Sequence, residues 1–430
     1  MNGADVRALA SARRKAAWLG LVSGAAIVAA ALPAAAQNAD KPVGVADRPR
    51  PDYDPIGEKL GALLLQPQLK ADVIHDDNVF ATNSNTVSDT YVTVAPRLTL
   101  KTDWPRHSLS ATASGRFSRY DKLKRQDTNE WSAGAAGRLD VTRDLNVNVN
   151  VAHDDKVEPR NSAIYVITPL KPITYTRDSG SISVGQSFNH LKVSGTVSAS
   201  SYDYDASRDV IGALLDQSYR NRTETGVKAR VAYDVSPMTS FFVEGGRVRH
   251  DYDHRTALGE SRDSTSTSLL FGVQGEITRL VQGEASIGYA HYDFAGPSYN
   301  DVDNFNYNVQ IEWYPTQLLT IGLAGTQVLE DTPLPTIPGY ISKTLTLTGD
   351  YELRRNLILS GRLMAGKDDY QGGLFDHTAN RYGGSLSARY LVARGVGLQF
   401  RYDHEQRNGS DVSGADFRDN TVGVGVTLAR

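Results

Sequence analysis

The chain contains no cysteine and only three methionines among its 430 residues. Without thiols it can make no disulfide staple, no zinc ribbon and no cysteine nucleophile. Positive charge is not in excess either, because 46 basic residues stand against 49 acidic ones. Beyond residue 36 no stretch approaches the roughly 18 consecutive apolar residues that a membrane helix needs. The mean hydropathy of −0.37 is that of a polar chain. No G-x-S-x-G elbow, P-loop or paired-cysteine motif occurs. No enzymatic activity, cofactor or metal-ligand set is therefore expected.

The first 36 residues differ from all that follows. Arg7, Arg13, Arg14 and Lys15 precede the apolar run "AAWLGLVSGAAIVAAAL", and Ala34, Ala35 and Ala36 supply small residues for cleavage. That is the layout of a secretory signal peptide over 1–36. Its removal takes four basic residues and one acid, which leaves 42 against 48 and a net charge of −6. A chain with that balance is no nucleic-acid binder. It is expected to leave the cytoplasm, and strands closed into a barrel are the remaining way for it to span a membrane.

Residues 37–60 hold the proline-rich stretch "RPRPDYDPIG", in which Pro49, Pro51 and Pro55 deny the backbone the hydrogen bonds of a ladder. It reads as a semi-rigid periplasmic lead-in, either tucked into a barrel mouth or offered to a periplasmic export partner. From residue 63 the chain alternates with period two. "LNVNVNVAH" puts Leu145, Val147, Val149 and Val151 on one face and Asn146, Asn148 and Asn150 on the other. "NFNYNVQIEWY", "KTLTLTGDYEL" and "TVGVGVTL" repeat the pattern. Segments of about ten residues of this kind are the signature of an outer-membrane barrel.

Tight turns are expected at 104–106, 142–144, 189–190, 236–238, 278–279, 315–316, 354–356 and 393–395, alternating with longer, Asp-rich connections. Eight short and nine long connections predict an all-β, up-and-down antiparallel transmembrane barrel of about 18 strands over 61–430. Two less regular segments keep 16 as the alternative. Most odd segments end in a ring followed by an acid: His75-Asp76, Tyr120-Asp121, His153-Asp154, Tyr202-Asp203, His250-Asp251, Tyr292-Asp293 and Tyr402-Asp403. The expectation is that these rings sit at the membrane–water boundary. Glu330-Asp331 and Lys367-Asp368-Asp369 break the rule.

If the apolar parity faces lipid, the other parity faces the lumen. Its basic residues are Lys70, Arg97, Arg116, Arg138, Lys228, Arg230, Arg362, Arg389 and Arg401, and its acids are Glu276, Glu284, Glu312, Asp350 and Glu352. Counted from the short turns, this predicts a basic belt near mid-height and an acidic arc near the periplasmic mouth. Walls of opposite charge order water and sort permeating solutes by charge. Mutual pairing of these charges is the alternative. In the third long connection Ile164, Tyr165, Val166, Ile167 and Leu170 are unusually apolar, and they are expected either to fold inward as a constriction or to extend a strand.

The opening stretch "RPRPDYDPIGEKLGALLLQPQLKADVIHDDNVF" resembles the start of the "Putative β-barrel porin 2" family of bacterial outer-membrane proteins, with Asp76, Asp77, Asn78, Val79 and Phe80 as the loop entry. The resemblance implies a Gram-negative outer-membrane location and a role in the envelope or in exopolysaccharide export. The expected function is a porin-like channel for polar or anionic solutes, surrounded by outer-membrane lipid. The competing class is a non-conducting barrel whose Asp-rich loops bind glycan or divalent ions. Small outward residues, Ala111, Ala113, Ala133 and Ala135, point weakly to a homo-oligomeric contact. The terminal "VGVGVTLAR" ends in Arg430 instead of an aromatic residue.

Overall fold

A computed structural model describes residues 42–161, 169–332, 334, 336–370, 377–409 and 415–430. Residues 1–36, expected to be a signal peptide, and the apolar loop residues Ile164, Tyr165, Val166 and Ile167 lie outside the described residues.

Eighteen long strands run through the described residues. They are β1 (Leu63–Asp76), β2 (Asp89–Thr102), β3 (Ser108–Tyr120), β4 (Thr128–Asp140), β5 (Leu145–Val157) and β6 (Thr174–Phe188). Next come β7 (Leu191–Tyr204), β8 (Arg222–Ser236), β9 (Thr239–Tyr252), β10 (Ser264–Thr278), β11 (Val281–Phe294) and β12 (Val302–Thr316). The last six are β13 (Leu319–Glu330), β14 (Tyr340–Arg354), β15 (Leu357–Tyr370), β16 (His377–Ala393), β17 (Val396–Asn408) and β18 (Phe417–Ala429). Each pairs antiparallel with its neighbours in sequence, and β1 pairs with β18 from Gln68↔Ala429 to Asp76↔Thr421. The ladder therefore has no free edge, which is the condition for crossing hydrocarbon with strands. The eighteen-strand count holds and the sixteen-strand alternative falls.

Below the end of β18 the strand Glu58–Leu60 folds back on Leu63–Leu65. Arg430 ties the chain end to this hairpin through Glu58 (2.8 Å) and through its own N–H to the Pro67 carbonyl (3.2 Å). The short turns are tight enough to dictate residues. Gly395 has φ +71°, and a Cβ there would lie 1.8 Å from the Ala429 carbonyl oxygen. Only glycine fits that turn.

The alternation orients the wall. Val149, Val151, Ile182, Val184, Val197, Val227, Ile287, Phe305, Leu363 and Leu386 are exposed on the outside, where lipid covers them. Asn308 and Gln310, on the opposite parity of β12, are exposed toward open space inside the barrel. Packed apolar clusters occur instead at the long-loop end, around Tyr340 and Tyr370 and around Tyr292, Phe294 and Tyr299.

This orientation is checkable because the chain has no thiol of its own. In reconstituted protein, Asn308→Cys reacts with a water-soluble thiol reagent, and Ile287→Cys on the adjoining strand reacts only with a lipid-phase reagent. The reverse pattern would mean that the assigned faces are inverted.

Candidate functional site: the barrel lumen and its two mouths

Every charged residue named for the lumen falls on the parity opposite to the exposed apolar one. Lys70, Arg97, Arg116, Arg138, Lys228, Arg230, Arg362, Arg389 and Arg401 do so on β1–β4, β8 and β15–β17. Glu276, Glu284, Glu312, Asp350 and Glu352 do so on β10–β12 and β14. Their electrostatics differ from two opposed walls, because many are paired at short range. Arg230 bridges Glu244 (2.6 Å) and Glu284 (2.9 Å), so these two residues are partners and do not face each other across a gap. Arg138 pairs with Asp140 (2.9 Å), Arg401 with Asp403 (2.7 Å), Lys70 with Asp72 (3.2 Å) and Lys228 with Glu244 (3.5 Å). Glu312 accepts the hydroxyl of Tyr314, and Asp350 accepts that of Ser360 at 2.5 Å. Among the described residues Arg97 has no ion-pair partner.

The short-turn mouth is crossed by the proline-rich segment. The Val45 N–H donates to Thr320 Oγ1 (2.9 Å) on β13, and Val45 is fully buried. Arg50 donates to Glu352 Oε2 (2.8 Å), the Arg355 carbonyl (3.1 Å) and the Val45 carbonyl (2.9 Å). Arg48 reaches the same carboxylate at 3.1 Å and also donates to the Gln317 carbonyl. On the far side the Gly395 N–H donates to the Tyr53 carbonyl (2.8 Å) and Arg394 to the Pro51 carbonyl (2.9 Å). The β16–β17 turn thus donates to carbonyls of the segment, whereas the β12–β13 and β14–β15 turns offer their own carbonyls to Arg48 and Arg50. The segment is tucked into this mouth, with Glu352 receiving both Arg48 and Arg50.

The long-loop end is held by a buried ion cluster that the sequence reading did not name. Asp331, just after β13, is reached by Arg220 Nε (2.7 Å), Arg262 Nη2 (3.0 Å) and Arg222 Nη1 (3.8 Å). Arg220 also holds Glu158 (2.8 Å), and Arg262 donates to the carbonyls of Thr332 (3.1 Å) and Pro338 (3.0 Å). Inward tyrosines pack on the guanidinium planes, Tyr204 against Arg220 and Tyr202 against Arg222, both at 4.0 Å. Four connections, β5–β6, β7–β8, β9–β10 and β13–β14, are thus tied at one point. The β5–β6 connection continues to β17, where Asn161 donates to Glu405 (2.7 Å) and Arg407 donates to the Asn161 carbonyl (2.6 Å). On its return side the half-buried Leu170 donates its N–H to the Arg208 carbonyl (2.7 Å).

A family model described as "Putative beta-barrel porin 2" matches residues 50–430. The chain belongs to this family. It is accordingly a protein of the Gram-negative outer membrane, in a porin family of channels. Among solved structures it is similar to Pseudomonas aeruginosa OpdK crystallised with vanillate, at 11% identity and a TM-score of 0.42, covering 85% of this chain and 99% of that one. It is also similar to a BenF-like porin from Pseudomonas fluorescens Pf-5, at 12% identity and a TM-score of 0.45, covering 86% and 100%. The siderophore receptor PirA from Pseudomonas aeruginosa matches at 7% identity and a TM-score of 0.45, covering 88% and 81%. No curated protein matches the chain.

Half of the ring–acid rule is corrected in this porin-family barrel. His75, His153 and Tyr402 do lie on the outward parity. Tyr120, Tyr202, His250 and Tyr292 lie on the inward one, where Tyr120 stacks on Tyr91, Tyr202 packs on Arg222, His250 faces Ser264 and Glu224, and Tyr292 joins the apolar cluster of Phe294 and Tyr299. The boundary rings at the short-turn end are others: Trp104, Tyr233, Phe241, Trp313, Tyr351 and Tyr390, all exposed outward. The places that broke the rule were the useful signal. Asp331 is the centre of the clasp, and Asp368 pairs with Arg381 at 2.7 Å. Asp76, Asp77 and Asp419 gather their carboxylates within 4.8 Å of one another at the β1–β18 seam. Two of them already brace backbone there, Asp76 accepting the Asn78 N–H and Asp77 the Asn420 N–H, both at 2.8 Å.

Burial alone would raise the Asp331 carboxyl, but Arg220, Arg262 and Arg222 override it and hold it well below the usual carboxylate range. The clasp is therefore at full strength above the ordinary carboxylate pKa and is lost only as pH falls far below it. Removing one side of such a buried pair costs about 3–5 kcal/mol. Asp331→Asn should let trypsin cut at Arg220 or Arg262 at neutral pH while the strand content by circular dichroism stays unchanged. Unaltered protease resistance would show that the clasp does not hold the loops.

Proposed function

We propose that the protein is a porin-like channel for polar solutes, with preference for anions at mid-height and with both mouths narrowed by its own chain. The observation that carries this is the exposed polar surface inside a closed 18-strand wall, at Asn308, Gln310 and Arg116. Barrels of 16–18 strands leave an aqueous lumen. Arg97 and Arg116 supply inward positive charge away from the short-turn mouth, Arg389 stands lower, in register with Glu352 through Ile358, and Glu352 is already neutralised by Arg48 and Arg50. Fixed positive charge along a water-filled path raises the local concentration of anions. Service to envelope or exopolysaccharide export rests on the family resemblance alone.

One observation favours a second reading, that of a non-conducting structural barrel. The Asp331 clasp draws four loops together over the long-loop end. Planar-bilayer recording separates the two. The channel reading predicts discrete conductance steps and an anion-selective reversal potential in a salt gradient. It further predicts that Arg97→Gln/Arg116→Gln/Arg389→Gln shifts that potential toward cations. Insertion without conductance contradicts the channel.

A further inference from the structure

The inner face of β18 is nearly bare. In "TVGVGVTL" the inward positions are Thr421, Gly423, Gly425 and Thr427. A Cβ on Gly425 would lie 2.0 Å from Asp72 Oδ1, and one on Gly423 would meet Ile74 Cγ1 at 3.3 Å. Side chains of the neighbouring strands therefore occupy the space that β18 vacates. The result is a recess of about 40 Å³ at the closing seam, whose polar lining is Lys70, Asp72, Thr93, Arg116, Gln399 and Arg401. These come from the first three strands, β1, β2 and β3, and from β17 near the end of the chain. A space of that size admits a few water molecules or one polyatomic group.

Three of the lining groups are cationic and one is anionic, a balance of +2. Their acidic neighbours do not exhaust them. Arg116 is loosely held, its Nε 3.9 Å from Glu130 and its side chain 58% exposed. Asp403 engages Arg401 at Nε, and a single carboxylate cannot satisfy the five N–H donors of a guanidinium. Lys70 has three donors and one near carboxylate, Asp72, at 3.2 Å. Thr93 and Gln399 add neutral hydrogen-bonding groups. Further toward the long-loop side the rings of Tyr91 and Tyr120 stack on each other, 4.6 Å apart.

We propose that this seam recess is a saturable oxyanion subsite, which takes the carboxylate, sulfate or phosphate group of a permeating solute. The proposal rests on the channel reading for its role but not for its existence. Convergent arginine and lysine donors with a planar fork suit an oxyanion better than a halide. The subsite would make transport of such solutes saturate, where a uniformly charged pore would only bias it.

The test uses the full mature chain and inorganic phosphate. In planar bilayers in chloride, millimolar phosphate should reduce the wild-type current saturably. Arg116→Gln/Arg401→Gln should weaken that block at least tenfold. Arg247→Gln, on the outward face of β9, should leave it unchanged. Gly425→Ala, which drives a methyl against Asp72, should weaken the block with every charge retained. A block that survives in the double variant, or falls equally with Arg247→Gln, overturns the subsite. If the protein inserts and carries no current, the channel reading fails. Broadening of the ³¹P line of phosphate by detergent-solubilised protein then decides the recess. Broadening that disappears in the double variant supports it, and broadening that is absent or unaffected overturns it.

Discussion

Everything in this molecule depends on closing one hydrogen-bonded ladder. A strand in hydrocarbon has no water to satisfy its N–H and C=O groups, so an edge left open would cost several kcal/mol per group. The register of β1 on β18, from Gln68↔Ala429 to Asp76↔Thr421, removes that edge. It also fixes which parity faces lipid, since a slip of one residue would invert every side chain. The seam is reinforced where pairing would fray. Arg430 pins the hairpin Glu58–Leu60 at one end, and Asp77 holds Asn420 by backbone and side chain at the other.

Closure leaves a wide cylinder, and the chain spends its remaining polar groups on narrowing it. At the short-turn mouth a proline-rich segment offers carbonyls and two arginines to three turns and one glutamate. At the long-loop mouth three arginines converge on Asp331. Both devices are buried ion pairs, whose desolvation cost is repaid only by full hydrogen bonding. Mid-height is different. There Arg116 is loosely held while Arg230 is tightly bridged to Glu244 and Glu284, and polar side chains such as Asn308 and Gln310 remain exposed.

The wall was legible in the sequence because period-two alternation is a local property. "LNVNVNVAH" states its faces within nine residues, and proline, asparagine and glycine mark the turns. The inward parity of Lys70, Arg97 and the other charged residues follows from the same count. What alternation cannot encode is distance across the barrel. Arg230 and Glu284 stand on β8 and β11 and yet touch, because charges on inward faces lean toward whichever partner is near. The clasp was invisible for the same reason: Glu158, Arg220, Arg262 and Asp331 lie in four separate loops. Tyr202 and Tyr292 were misassigned to the boundary because a ring beside an acid looks alike whichever way it points. The placement of "RPRPDYDPIG" stayed open until Glu352 was seen to receive both of its arginines.

The central claim is that a conducting lumen exists and that the chain's own N-terminal segment narrows it. Single-channel conductance of the chain from residue 37 onward, compared with that of a variant also lacking residues 42–57, measures this directly. The account predicts discrete conductance in both, with a larger step in the shortened chain. Equal steps, or a barrel that inserts and stays silent in both forms, would contradict it.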